Sequence, residues 1–169
     1  ANHGLNVLAI INTHAHYDHI GAVQYLKNKY QLPFFLHSAD SRLLKSANLY
    51  ARLFDETSIL KIPKVDYYFD QINIEDHLEV FSIKIIETPG HTQGSVCFLI
   101  EDVLFTGDTI FNGDIGRVDL PGGNSKTLHE SLLTLSKLPK QTKIYPGHGS
   151  SSTIGHELNT NKKFKMAIS

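Results

Sequence analysis

A single cysteine, Cys97, is the only thiol in 169 residues, which excludes an internal disulfide framework and suits a reducing compartment. No apolar run approaches the length needed to span a bilayer, and residues 1–6 lack the charged and apolar regions of a secretory leader. The expectation is a soluble, cytoplasmic protein. Excess charge is missing too. The formal net charge is −1, and acidic and basic residues are mixed along the chain, so nothing marks it as a binder of nucleic acid or of an anionic membrane. A small, diffusible substrate is expected instead. No repeat, low-complexity tract or composition shift marks a linker. The length suits one substantial core, so one domain over residues 1–169 is expected.

What is present begins with Val7-Leu8-Ala9-Ile10-Ile11, an apolar run ended by a polar cluster, as expected of a buried strand that delivers residues to a site. Ile20, Val23, Leu26 and Tyr30 then recur at helical spacing until Pro33, and Phe34-Phe35-Leu36 reads as the next strand. This is a βαβ unit with a parallel crossover. Ser38 or Asp40 is placed to cap a second helix with Leu43, Leu44, Ala47, Ala51 and Phe54 on one face. Residues 55–71 read as irregular. Strands are expected over residues 78–86, 95–100 and 103–106, the last two joined by a tight hairpin at Glu101-Asp102. Gly113, Gly116, Gly122 and Gly123 mark a long loop. Asn124 or Ser125 then caps a helix with Leu128, Leu132, Leu135 and Leu138 inward, ended by Pro139. Lys143-Ile144-Tyr145 is a last short strand before Pro146-Gly147-His148-Gly149.

The segment Thr13-His14-Ala15-His16-Tyr17-Asp18-His19 packs three imidazoles and one carboxylate between a strand and a helix. Burying so many ionisable groups without a cation is costly, and these are the ligand types preferred by zinc and similar divalent ions. His91, Asp108 and His148 each sit in a glycine-bearing turn after a predicted strand, where a rigid scaffold presents functional groups. Taken singly, His148 reads as a solvated or core-satisfied residue and Asp108 as a turn or cap residue; the histidine cluster shifts that balance towards a metal site. His3, His77, His129 and His156 lack ligand spacing. His37 follows a strand and reads as structural, Cys97 as a buried small hydrophobe, and Tyr17 as a packing residue.

The HxHxDH segment, Thr88-Pro89-Gly90-His91, Gly107-Asp108-Thr109 and Pro146-Gly147-His148 resemble, in order and approximate spacing, the motifs of the metallo-β-lactamase superfamily, and the resemblance covers nearly the whole chain. Residues 90–95 and 113–123 look more narrowly like the glyoxalase II-like branch and the related persulfide dioxygenases. The resemblance implies an α/β fold, a four-layer αββα sandwich, with two divalent metal ions at one edge. Zinc is the first choice, with iron or manganese as alternatives. It implies that His14, His16 and His91 hold one ion, that Asp18, His19 and His148 hold the other, and that Asp108 bridges them. Members normally carry several strands before the HxHxDH strand, whereas here about a dozen residues precede His14, so a first sheet without its N-terminal strands is expected. Glyoxalase II enzymes also carry a helical C-terminal region that helps hold glutathione, and this chain stops soon after His148.

The implied activity is hydrolysis of a small thioester, with a metal-activated hydroxide as nucleophile and Asp18 and Asp108 as the catalytic carboxylates. Arg117, in the glycine-rich loop, reads either as a bidentate clamp for a substrate carboxylate or as the ion-pair partner of Asp119 or Asp114. The same motifs serve a mononuclear iron persulfide dioxygenase using the positions of His14, His91 and Asp108. A non-catalytic metal-binding module is the third reading, and unpaired sheet edges make an oligomer an expectation to test.

Overall fold

In a computed structural model of the chain, the apolar run starting at Val7 becomes a strand only at its end, β1 (Ile10–Ile11). The reason is its partner: β2 (Phe34–Leu36) has three residues, and the parallel register pairs Ile10 with Phe34 and Ile11 with Phe35. Val7 and Leu8 stay exposed, so the fully buried strand expected there is shortened. The structure describes residues 4, 6–54, 59–78 and 82–169. The readings placed on His3, on most of the first five residues, on the Phe54 side chain, on residues 55–58 and on residues 79–81 lie outside the described residues. The chain divides into two compact units, Ala1–Val80 and Phe81–Ser169.

In the first unit the segment between β1 and β2 folds as two helices, α1 (Tyr17–Ile20) and α2 (Val23–Tyr30). Gln31 ends α2 in the left-handed region at φ 56°, its amide returning to the Lys27 carbonyl. The second expected helix is also broken in two: a 3₁₀ turn (Ser38–Asp40) leads into α3 (Ser41–Lys45), and α4 (Ala47–Phe54) follows after Ser46. Neither Ser38 nor Asp40 caps it as expected. His37 caps the 3₁₀ turn, its Nδ1 accepting the Ala39 amide at 3.1 Å, and Asp40 makes no cap bond because its carboxylate is engaged elsewhere. Strand β3 (Tyr67–Tyr68) completes a parallel sheet in the order β1-β2-β3. Ala15, Ile20, Val23, Phe34, Leu36, Leu44 and Ala47 form the core, with Tyr17 packed against it as expected. Truncating a residue such as Leu44 to alanine costs about 2–5 kcal/mol.

The second unit begins with β4 (Lys84–Glu87), shorter than the strand expected over residues 78–86. Leu78 belongs to the preceding unit, its amide bonded to the Ile74 carbonyl at 3.0 Å. β5 (Val96–Ile100) and β6 (Val103–Gly107) form the expected hairpin, with Ile100 opposite Val103 and Glu101 at φ 54°. The glycine-rich loop contains an element that the sequence reading missed, a two-residue hairpin between β7 (Ile110–Phe111) and β8 (Asp114–Ile115). Its turn is Asn112-Gly113, with Gly113 at φ 81°, the pair that favours tight hairpins. Helix α5 (Ser125–Leu135) is capped by Asn124, whose Oδ1 accepts the Thr127 amide at 3.1 Å. β9 (Lys143–Pro146) pairs parallel to β6, and β10 (Ser152–Thr153), α6 (Ile154–Thr160) and α7 (Lys162–Ala167) follow. The five-stranded sheet runs β10-β9-β6-β5-β4, and Cys97, Leu104 and Ile144 from it pack with Leu128, Leu132, Leu135, Ile154 and Phe164 from the helices. The α/β class is therefore realised in each unit. Among the described residues no helix is long and apolar enough to cross a membrane.

Candidate metal centre

In the first unit the HxHxDH segment leaves β1 and enters α1 within a few residues, which turns its side chains together instead of alternating them. Asn12 stitches the segment to itself, its Nδ2 donating to the carbonyls of His19 at 3.0 Å and His14 at 3.4 Å. His16 stands in extended conformation at the N-cap of α1, with the amides of His19 and Ile20 bonded to its carbonyl. As a result the His14 ring lies edge-on to His16, centroids 4.9 Å apart, and 4.1 Å from the His19 ring. Asp18 Oδ2 is 3.6 Å from His19 Nε2. His14 and His16 are buried, while Asp18 is 38% exposed and so reaches solvent. All four residues singled out here are brought together.

In the second unit three turns converge. The pairing of β6 with β9 shifts register between Phe105 and Gly107, and Gly107 takes φ 48°; an irregularity at a strand end re-aims the next side chain. Asp108 follows it and points its Oδ2 between His91 Nε2 at 3.5 Å and His148 Nε2 at 3.6 Å. The amide of Gly147 donates to the Gly107 carbonyl at 2.8 Å, which holds the His148 turn beside the Asp108 turn. Buried hydroxyls tie the His91 turn to the same place: Thr88 and Thr109 share a hydrogen bond at 3.0 Å, and Ser131 donates to the Pro89 carbonyl at 2.7 Å. His91 and Asp108 are nearly buried, whereas His148 is 57% exposed.

The donor set fits a divalent ion on its own chemistry. His91 Nδ1 lies 2.8 Å from the Arg117 carbonyl oxygen, which only accepts, so that nitrogen carries the proton and Nε2 keeps its lone pair for a metal. A carbonyl behind a ligating imidazole is the usual arrangement at metal sites. Sequence reading missed this partner because a main-chain oxygen leaves no trace in residue type. Asp40 was missed in the same sense, read as a cap when its carboxylate holds the Ala15 amide between two of the histidines.

Arg117 itself donates through Nε and a terminal nitrogen to the two oxygens of Asp119, each at 2.7 Å. Of its two expected partners the structure selects Asp119; Asp114 pairs with Lys163 at 2.7 Å. The Arg117 guanidinium holds the Asp119 carboxyl at about 2, and Asp119 in return raises the pKa of Arg117. His37 caps a turn, and His77 lies against the Tyr67 ring with centroids 4.4 Å apart, so both are structural as expected. Cys97 is fully buried, and burial pushes its thiol up to about 11 against the opposing hydroxyls of Thr88 and Thr109.

Two donor sets of imidazole and carboxylate, each held on strand ends in an α/β framework, define a class, and comparison with known proteins agrees. The chain belongs to the metallo-β-lactamase superfamily, whose family model matches residues 2–148, a span that includes every candidate ligand. The probable metallo-hydrolase YqgX of Bacillus subtilis is 36% identical over 164 residues, covering 94% of this chain and 76% of that protein. The hydroxyacylglutathione hydrolase GloC of Haemophilus influenzae is 33% identical over 165 residues, covering 93% and 76%. The crystal structure of TTHA1623 in a di-iron-bound form aligns with a TM-score of 0.85 at 39% identity, covering 95% of this chain and 79% of that one. The metallo-β-lactamase fold is thus shown, and with it a metal-binding hydrolase superfamily.

Proposed function

We propose that this protein is a binuclear metal-dependent hydrolase of a small thioester, with His14, His16 and His91 holding one ion, Asp18, His19 and His148 the other, and Asp108 shared. The observation that carries the reading is the placement of Asp108 Oδ2 between the Nε2 atoms of His91 and His148, because those two histidines belong to different ions in this assignment. The di-iron-bound relative supports two metals, and the hydroxyacylglutathione hydrolase supports the substrate class. Zinc is the proposed pair, with iron the main alternative.

When bound, the two ions supply Lewis-acid activation of water and of the thioester carbonyl. The chain's own part is proton handling and orientation. Asp18 is the exposed carboxylate of the set, so its Oδ2 is placed to take the proton released by the attacking water and pass it to solvent. Asp108, nearly enclosed, places its Oδ2 between the imidazoles of His91 and His148. The Arg117 carbonyl holds the Nδ1 proton of His91 and so preserves the ligating tautomer. Asp119 engages only two of the five Arg117 donors, and the remaining donors, with the side chain 54% exposed, are proposed to meet a substrate carboxylate.

Metal-loaded protein assayed on a panel of thioesters, S-lactoylglutathione among them, is expected to turn over at least one, with about two ions per chain by elemental analysis. One iron per chain with oxygen consumption on glutathione persulfide would instead establish the dioxygenase reading. Metal binding without turnover of any thioester, ester, lactam or phosphodiester would leave a non-catalytic module.

A further inference from the structure

Asp40 is 1% exposed, and a buried carboxylate persists only where donors satisfy it. It stands at the N-cap position of α3 without capping it. Its Oδ2 instead accepts the Ala15 amide at 2.9 Å, 25 residues earlier. Ala15 separates His14 from His16, and its methyl group is fully buried in the core of the same unit. That residue is therefore held twice, through its N–H by Asp40 and through its side chain by the core.

The turn that carries Asp40 is itself anchored. The Ser38 amide and hydroxyl donate to the two oxygens of Asp70 at 2.8 and 2.5 Å. Burial pushes the Asp70 carboxyl up, but these two bonds, with its own backbone amide and the nearby His37, together hold it below its ordinary range. Ser41 donates its hydroxyl to the Ser38 carbonyl at 2.7 Å. A rigid arm thus reaches from the end of β2 to the peptide between two proposed ligands. Rotation of that peptide would swing both neighbouring side chains, and metal–ligand distances at a formed site fall within about 0.2 Å of their standard values.

We propose that Asp40 is a positioning residue for the metal centre, its carboxylate fixing the Ala15 peptide and thereby the separation of the His14 and His16 imidazoles. This rests on the binuclear reading above. The test compares apoprotein of the wild type with Asp40→Ala and Asp40→Asn, titrated with zinc against a chromophoric chelator and with cobalt while the visible spectrum is recorded. Asp40→Ala is expected to bind one ion about 10–100-fold more weakly, with an altered cobalt spectrum. Asp40→Asn, which keeps an acceptor oxygen, is expected to recover most of the affinity and the wild-type spectrum. A folded Asp40→Ala that binds both ions like the wild type overturns the proposal. Should Asp40→Ala not fold, Asp40→Asn against the shorter Asp40→Ser decides, and equal binding by the two overturns it. A wild-type chain that binds no metal overturns the binuclear reading instead.

Discussion

Asp108 differs from the other proposed ligands in what its loss exposes. Its carboxylate lies at nearly equal distances from two imidazoles that otherwise have separate supports: His91 through the Arg117 carbonyl, His148 through the backbone bond between Gly147 and Gly107. A bridging carboxylate offsets the repulsion between two cations and fixes their spacing, so removing it should act on both. Asp108→Ala is expected to lower turnover by at least about 10²-fold and to reduce total bound metal, whereas His148→Ala depletes mainly one ion. Elemental analysis of the two variants decides. Two retained metals and near-normal turnover in Asp108→Ala would return Asp108 to the role of a turn residue. At this scale the ligand types were legible in the sequence, since clustered imidazoles need a cation to offset their burial. The groups that orient them were not. The Arg117 carbonyl is a main-chain atom 26 residues from His91, and Asp40 carries the signature of a helix cap while bonding across the unit.

The elements set how closely those ligands are held, and Gly90 shows it best. It takes φ 139°, and a Cβ built there would lie 2.4 Å from both the Cα and the amide nitrogen of Leu128. The His91 turn therefore rests against the backbone of α5, and the Asn124 amide donates to the Gly90 carbonyl at 2.8 Å at the start of that helix. Only glycine permits both the angle and the approach. Gly90→Ala is expected to destabilise the protein by about 2–4 kcal/mol, combining backbone strain with overpacking, and to weaken metal binding through displacement of His91. Thermal denaturation of the apoprotein with a parallel zinc titration measures both; an unchanged midpoint would mean that the turn stands clear of α5. Element identity was largely legible: apolar periodicity marked α2, α5, β5, β6 and β9. Where the reading failed, local bonds decided. Continuous helical periodicity through Ser46 concealed a break, and the glycines of the long loop concealed the Asn112-Gly113 hairpin, whose dipeptide was itself the available signal.

At the scale of the molecule, motif order carried the family assignment, because ligands dispersed over residues 14–148 all fall within the span the family model matches. The division into two compact units was not legible, since no change in composition accompanies it; it arises from which segments hydrogen-bond into which sheet. The proposed ligands are side chains that only the folded chain holds in place, which gives metal a thermodynamic consequence beyond catalysis. An ion bound only by the native chain stabilises it by RT ln(1 + [L]/Kd), about 2.7 kcal/mol at a hundredfold excess over Kd. For a chain of this length that corresponds to a rise of roughly 5–10 °C in Tm. Calorimetry of the chelator-treated protein is expected to show the lower midpoint. Zinc should restore the higher midpoint, because unfolding then releases the ions. If the melt is the same with chelator and with zinc, the folded chain holds no metal that the unfolded chain does not, and the binuclear assignment fails.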